Sequence, residues 1–228
     1  MHALTGGTVT DFVGDASTNG LAIDVTGDIL ACTHDIRGLS RFDPETKQRT
    51  TFVDAYMGKK FNSPNDVVVR SDGNVYFTDP DWQLTQSSEL PMAVYRVAPG
   101  GEVEVVDTLN KPNGIALSPD EQTLYVGAAD GQIRAYAVAA DGKTGASQHF
   151  ADVNGPDGMA VDCAGNVYVA GGPAVAVFAP DGTALGTITG MSASATNAAF
   201  GGPSRTTLYV TAGDTLYSIE LAIPGYPY

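Results

Sequence analysis

The sequence has 228 residues, of which 43% are hydrophobic and 27 are glycine, so it is long enough to bury the core of one domain. Its formal net charge of −14, spread along the chain, excludes a general affinity for nucleic-acid phosphates. No run of about 18 apolar residues predicts a membrane span, and the start, MHALTGGTVTDF, lacks the regions of a signal peptide. We therefore expect one soluble, cytoplasmic domain over residues 1–228, with no nucleic-acid or membrane partner.

A repeated segment follows the isolated strand that GTVTDFV predicts near the start. Each copy has a small or turn residue, then Asn or Asp, then a short apolar run. The copies are STNGLAID, NSPNDVVV, NKPNGIAL, NGPDGMAV and SATNAAFG. Their polar residues are Asn19, Asn65, Asn113, Asp157 and Asn197, spaced 46, 48, 44 and 40 residues apart. A period of this length is typical of repeat architectures.

Each repeat continues with a turn signal and further strands. The second strands, with their turns, are DVTGDILAC, RSDGNVYFT, SPDEQTLYV, DCAGNVYVA and GPSRTTLYV. Gly, Asp, Asn and Pro between alternating apolar residues indicate hairpins, and no long segment has helical periodicity. Third and fourth strands follow, such as GLSRFD and RTTFVDA in the first copy. The repeats predict an all-β propeller with five four-stranded antiparallel blades.

The ends of the chain suggest how this ring closes. The last repeat has only three predicted strands, whereas GTVTDFV precedes the first repeat without a blade of its own. Pairing that strand with the last blade would remove an exposed sheet edge, which otherwise invites aggregation. We therefore predict closure by the N-terminal strand.

The polar repeat residues should open the innermost strands at one end of the channel. Antiparallel order returns the second strands to that end, so their exit loops should surround the same mouth. The loops THDIRG and TDPDWQ would place His34, Asp79, Asp81 and Trp82 there. The long connection after Asp79 is the candidate lid or substrate wall, with Trp82 and Asp81 as substrate contacts. Asp66 adds a further candidate contact, although strand alternation would turn its side chain to the other face.

A ring of amide and carboxylate oxygens suggests a site for a hard cation such as calcium. The metal candidates are Asn19, Asn65, Asn113, Asp157 and Asn197. Asn and Asp at strand starts also stabilise turns, but turn formation does not require the same residue type at one phase in every blade. His and Cys are missing from the ring, which disfavours an ordinary zinc site. Calcium is the expected ion, with magnesium, manganese, iron or zinc as alternatives.

Several longer segments resemble a known family. NSPNDVVVRSDGNVYFTDP, KPNGIALSPDEQTLYV, GPDGMAVDCAGNVYV and AFGGPSRTTLYVTAG are similar to signature segments of the gluconolactonase and regucalcin (senescence marker protein) family. The resemblance implies a propeller with a central divalent cation that hydrolyses sugar lactones or related esters. By motif it implies Asn65, Asn113 and Asp157 as metal ligands, with Asp157 also the favoured general base. Asp79 and His34 are the reserve catalytic candidates.

The chain also departs from this family. Family members have six blades, and their Glu ligand lies in an N-terminal E-G-P motif that is absent here. The chain is then a five-blade propeller closed by GTVTDFV, a truncated six-blade protein, or half of a dimer that shares open edges, so both monomer and homodimer are expected states. The predicted function is a metal-dependent lactone or ester hydrolase. The alternative is a cation- or ligand-binding scaffold without turnover.

Overall fold

Turns rich in Gly, Asp and Asn separate short alternating segments throughout the chain, and these segments form twenty-one β-strands. The computed structural model describes residues 1–226. Within that range the strands form four four-stranded sheets, one three-stranded sheet and one hairpin, all antiparallel. The described range contains no helix long and apolar enough to cross a membrane. The prediction of a five-bladed all-β propeller is confirmed.

The strands follow chain order within every blade, with the innermost strand first. The hairpin contains β1 (His2–Thr5) and β2 (Thr8–Asp11). The first blade contains β3 (Thr18–Ile23), β4 (Ile29–Thr33), β5 (Gly38–Phe42) and β6 (Arg49–Val53). The second blade contains β7 (Val67–Val69), β8 (Val75–Asp79), β9 (Ala93–Val97) and β10 (Val103–Asp107).

The remaining blades repeat this order. The third blade contains β11 (Pro112–Leu117), β12 (Thr123–Ala128), β13 (Gln132–Val138) and β14 (Thr144–Asp152). The fourth blade contains β15 (Pro156–Val161), β16 (Val167–Gly171), β17 (Ala174–Phe178) and β18 (Ala184–Ile188). The fifth blade contains β19 (Ala195–Gly201), β20 (Thr207–Ala212) and β21 (Thr215–Glu220).

The hydrophobic core lies between neighbouring blades. Successive residues of a strand point to opposite faces, so Phe77 packs toward the first blade and Tyr76 toward the third. Both side chains are fully buried. The inner strands also pack in chain order, β3 on β7, β7 on β11, β11 on β15 and β15 on β19. This sequential packing brings the starts of the inner strands to one end of a shared channel.

The predicted closure by the N-terminal strand is wrong. β2 pairs with β1, and β21 has no fourth strand beside it within the described residues. Gly6 and Gly7 have φ angles of 57° and 80°, which suit a tight two-residue hairpin turn. Pairing with the adjacent β1 closes a far shorter loop than pairing with β21, so it costs less chain entropy.

The first and last sheets do not pack on each other as the other neighbours do. β3 and β19 make no comparable contact, and Leu21 and Ile23 of β3 are 47% and 49% exposed. A cavity of about 440 Å³ extends along the channel, with Leu21 and Ile23 on one side and Phe200 of β19 on the other. The apolar face that closure was expected to cover is therefore exposed.

Candidate active site

The polar residues of the five repeats converge because each inner strand is irregular near its polar residue. In β3 the pairing register shifts between Thr18 and Leu21, and similar shifts occur in β11, β15 and β19. In the second blade Asn65 precedes β7, and its N–H donates to the Thr78 carbonyl at 2.8 Å. Such bulges redirect side chains next to functional sites. One cavity of about 470 Å³ is lined by Asn19, Asn65, Asn113, Asp157 and Asn197.

Glycine directly follows the polar residue in the first, third and fourth blades, where neighbouring strands approach closely. A Cβ at Gly114 would lie 2.0 Å from the Asp157 carbonyl oxygen. A Cβ at Gly20 would lie 2.7 Å from the Asn65 carbonyl oxygen, which already accepts the Gly20 N–H at 2.7 Å. No side chain fits at these distances. The Asn-Gly and Asp-Gly pairs recur in the sequence, so the close approach of these strands could have been predicted from it.

Two carboxylates, Asp66 and Asp157, lie in this cavity. Burial raises the pKa of Asp157 to about 6. Burial also raises the pKa of Asp66 to about 7, and the charge of Asp157 adds to the rise. Asp66 accepts hydrogen bonds from the N–H groups of Val67 at 3.0 Å and Ile115 at 3.1 Å. The expectation that Asp66 points to the opposite face is wrong, because β7 begins only at Val67 and strand alternation does not apply before it.

The amide side chains leave oxygens available in the cavity. Asn65 and Asn113 are each only 8% exposed. Asn113 donates its Nδ2 to the Pro156 carbonyl at 3.1 Å, which leaves its Oδ1 free to bind a positive group. The side-chain amide of Asn65, unlike its backbone N–H, makes no hydrogen bond within residues 1–226. Oxygen donors of this kind fit a hard divalent cation.

The cavity depends on amides more than on charged ligands. Residues 1–226 contain no group of three or more His, Cys, Asp or Glu side chains that could hold a metal ion. Asn197 Oδ1 already accepts the N–H of Ala198 at 2.8 Å, so it is less available than Asn65 or Asn113. Asn65, Asn113 and Asp157 line the cavity and carry oxygen donors that could hold a cation.

The rim of the cavity carries one aromatic side chain. Trp82 lines the cavity and is 39% exposed, and its neighbour Gln83, which the sequence analysis did not single out, lines it as well. Lys111 Nζ lies 5.9 Å from the centroid of the Trp82 ring and 3.4 Å from Asp81 Oδ1. Asp81 does not line the cavity. Its carboxylate pairs instead with Lys111.

Asp79 and His34 lie away from the cavity lining, so the expectation of Asp79 in the mouth is wrong. Asp79 ends β8, is fully buried and accepts the N–H groups of Asn62 and Ser63 at 2.9 Å. Burial raises the pKa of Asp79 to about 7. His34 is half-buried and donates Nε2–H to the Pro64 carbonyl at 3.1 Å, and burial lowers its pKa. Both side chains support the segment that carries Asn65.

We expect the metal-free protein to be more stable at pH 5 than at pH 8. The pKa values of Asp66, Asp79 and Asp157 rise from 3.8 to about 7, 7 and 6. Because the folded protein binds these three protons more tightly than the unfolded chain does, protonation favours folding. This contribution is complete below about pH 4 and is lost as the pH rises through 6 to 7. The lowered pKa of His34 opposes the trend in part. Urea unfolding should show at least about 1 kcal/mol more stability at pH 5.

A cation that binds in the cavity would compete with the proton of Asp157, so saturating Ca²⁺ should reduce this pH dependence. Stability that stays flat or rises from pH 5 to pH 8 in the metal-free protein would contradict the burial of these charges.

Comparisons with known proteins agree with this architecture. Residues 4–214 match the family described as SMP-30/Gluconolactonase/LRE-like region. A gluconolactonase of Zymomonas mobilis is 33% identical, and the match covers 90% of this chain and 64% of that protein. A pentonolactonase of Haloferax volcanii is 30% identical, and the match covers 84% of this chain and 66% of that protein. The chain thus spans about two thirds of the length of these relatives.

Solved structures share the same fold. A gluconolactonase from Xanthomonas campestris matches with a TM-score of 0.86 and 36% identity, covering 96% of this chain and 76% of that one. A calcium-binding protein, regucalcin, from Agrobacterium tumefaciens has the same fold at 22% identity. It matches with a TM-score of 0.81, covering 100% of this chain and 83% of that one. The resemblance seen in the sequence motifs is confirmed. The chain belongs to the SMP-30/gluconolactonase/LRE-like family.

Proposed function

We propose that this chain is a metal-dependent lactonase that opens a sugar lactone or a related ester. The observation that carries the proposal is the convergence of five Asn and Asp side chains on one cavity of about 470 Å³. The names of the Zymomonas mobilis and Haloferax volcanii relatives support a lactone substrate. The cavity volume lies within the range of small-molecule sites.

Asn65, Asn113 and Asp157 would hold the divalent cation, and Asn19 and Asn197 complete the polar wall. The Agrobacterium tumefaciens neighbour is a calcium-binding protein, which supports calcium as the ion to test first. When bound, such a cation supplies Lewis-acid polarisation of the lactone carbonyl. Because only one of the three ligands is charged, we expect weak binding.

Asp157 is the proposed general base. Its pKa of about 6 keeps the carboxylate ionised at neutral pH while leaving it basic enough to accept a proton. It would take one proton from the attacking water as the water oxygen bonds to the carbonyl carbon. The ring C–O bond then breaks, and its alkoxide oxygen takes up that proton to yield the hydroxy acid. Asp66 shares the cavity with Asp157.

Trp82 is the proposed wall for the substrate ring. Replacing it by Ala should raise KM about two- to tenfold with little change in kcat, because packing on an aromatic face contributes about 0.5–1.5 kcal/mol. Steady-state kinetics measure the split, and Trp82→Phe is the matched control that retains a ring. A fall in kcat with unchanged KM would contradict a role confined to substrate binding.

A second candidate function is a cation-binding scaffold without turnover. The lining of the cavity favours it, since the amides of Asn19, Asn65, Asn113 and Asn197 can bind polar or positive groups but cannot act as a general base. The two functions share the cavity and differ only in whether Asp157 meets a substrate.

Hydrolysis assays on chelator-treated protein test the proposal. Aldonolactones and aryl esters would be followed by acid release in a pH-stat, with Ca²⁺, Mg²⁺, Mn²⁺ or Zn²⁺ added in turn. We expect saturable, cation-dependent hydrolysis of at least one lactone. Cation binding without hydrolysis would favour the scaffold. The absence of both cation binding and hydrolysis would overturn both candidates.

A further inference from the structure

A buried hydroxyl group joins two sides of the candidate site. Thr78 of β8 has no exposed surface. Its Oγ1 donates a hydrogen bond to the Asn113 carbonyl at 2.7 Å and accepts one from the Asp66 N–H at 3.1 Å. Asp66 belongs to the segment that enters the second blade, whereas Asn113 belongs to β11 of the third blade. One side chain therefore connects the backbone of two cavity-lining residues from different blades.

The other blades do not use a hydroxyl at this register. In every blade the residue two positions after the polar residue pairs with a residue of the second strand. The next residue along that second strand is Cys32, Thr78, Gly127, Ala170 or Val210 in blades one to five. Apolar and small residues thus satisfy the packing of four blades. The blade fold itself therefore does not require a hydroxyl at this position.

We propose that Thr78 is a positioning residue that sets the separation of Asn113 and Asp66 and thereby organises the cation-binding cavity. This inference rests on the proposed function. Groups that orient metal ligands through hydrogen bonds commonly change metal affinity about 10–100-fold when they are removed. Thr78 acts in this way through the main chain, because it holds the backbone from which each cavity side chain projects.

Three variants of the full chain separate positioning from simple packing. Thr78→Val removes the hydroxyl at nearly constant volume, and Val210 shows that valine fits this register in the fifth blade. Thr78→Ser restores the hydroxyl. Thr33→Val is the matched control, since Thr33 is equally buried at the end of β4 but bonds only within its own blade, to the Gly38 carbonyl at 3.1 Å and Ser40 Oγ at 3.0 Å.

Calcium titration calorimetry gives the first result. We expect Thr78→Val to raise the Kd for Ca²⁺ at least about tenfold. Thr78→Ser and Thr33→Val should each stay within about twofold of the wild type, even where they lower Tm. Equal affinity in Thr78→Val and wild type, or an equal loss in Thr33→Val, would overturn the proposal.

Amide hydrogen exchange of the metal-free protein gives a second result that needs no cation. Thr78→Val should accelerate exchange at the Asp66 amide, because that N–H loses its acceptor, whereas Thr33→Val should not. Unchanged exchange at Asp66 would overturn the positioning role. A wild type that binds no Ca²⁺ would contradict the proposed cation site, and the exchange comparison would still decide whether Thr78 holds the two segments.

Discussion

Asp157→Asn is expected to lower kcat/KM for lactone hydrolysis about 10³-fold while the protein remains folded. The substitution keeps the size of the side chain but removes a base that contributes about 10²–10⁴-fold in comparable reactions. It also removes the single charged group from the three proposed cation ligands. Because the unfavourable burial of this carboxylate disappears, Tm of the metal-free protein should not fall.

The matched control is Asp152→Asn. Asp152 ends β14, its side chain is 76% exposed, and it pairs with His149 rather than with the cavity. This variant should retain wild-type kinetics. The wild-type rate should also fall at acidic pH, where protonation of Asp157 would remove the proposed base. Full activity of Asp157→Asn at saturating cation would remove Asp157 from the mechanism.

Gly114→Ala is expected to lower the free energy of unfolding by about 3 kcal/mol and to abolish cation binding. The added Cβ would lie 2.0 Å from the Asp157 carbonyl oxygen, and a backbone oxygen cannot move aside without shifting its strand. The strain falls on the contact between β11 and β15, which carry Asn113 and Asp157. Chemical denaturation and Ca²⁺ titration measure the two effects.

Gly145→Ala provides the comparison. A Cβ at Gly145 of β14 would meet its nearest neighbour at 3.8 Å, which is an ordinary contact. Neither position has a positive φ, so the two variants differ in available space and not in backbone preference. Equal stability of the two variants would contradict the close approach of the inner strands.

The blades could be predicted from the sequence because their signals are local. Turn residues and alternating apolar residues mark each strand, and the common phase of Asn19, Asn65, Asn113, Asp157 and Asn197 predicted a shared cavity that the structure confirms. Closure could not be predicted in the same way, because it depends on a competition between two partners for one strand. The short loop at Gly6 and Gly7 decided that competition in favour of β1.

The positions of individual carboxylates were harder to predict from the sequence than the shared cavity of the five repeat residues. Asp79 follows an apolar run and precedes a loop, so the sequence alone allows it to face either solvent or the interior. The structure buries it because the N–H groups of Asn62 and Ser63 need an acceptor there. Thr78 was missed for a related reason, since its two partners lie in segments far apart in the chain.

A calcium titration of the metal-free chain, read by two signals at once, tests the central claim most directly. Trp82 is the only tryptophan, so its fluorescence reports on the cavity rim, while a pH-stat records acid release from glucono-lactone. We predict that both signals saturate at the same Ca²⁺ concentration and that chelator abolishes both. Hydrolysis that persists at full rate in chelator, or saturation of the Trp82 signal without any acid release, would contradict a metal-dependent lactonase.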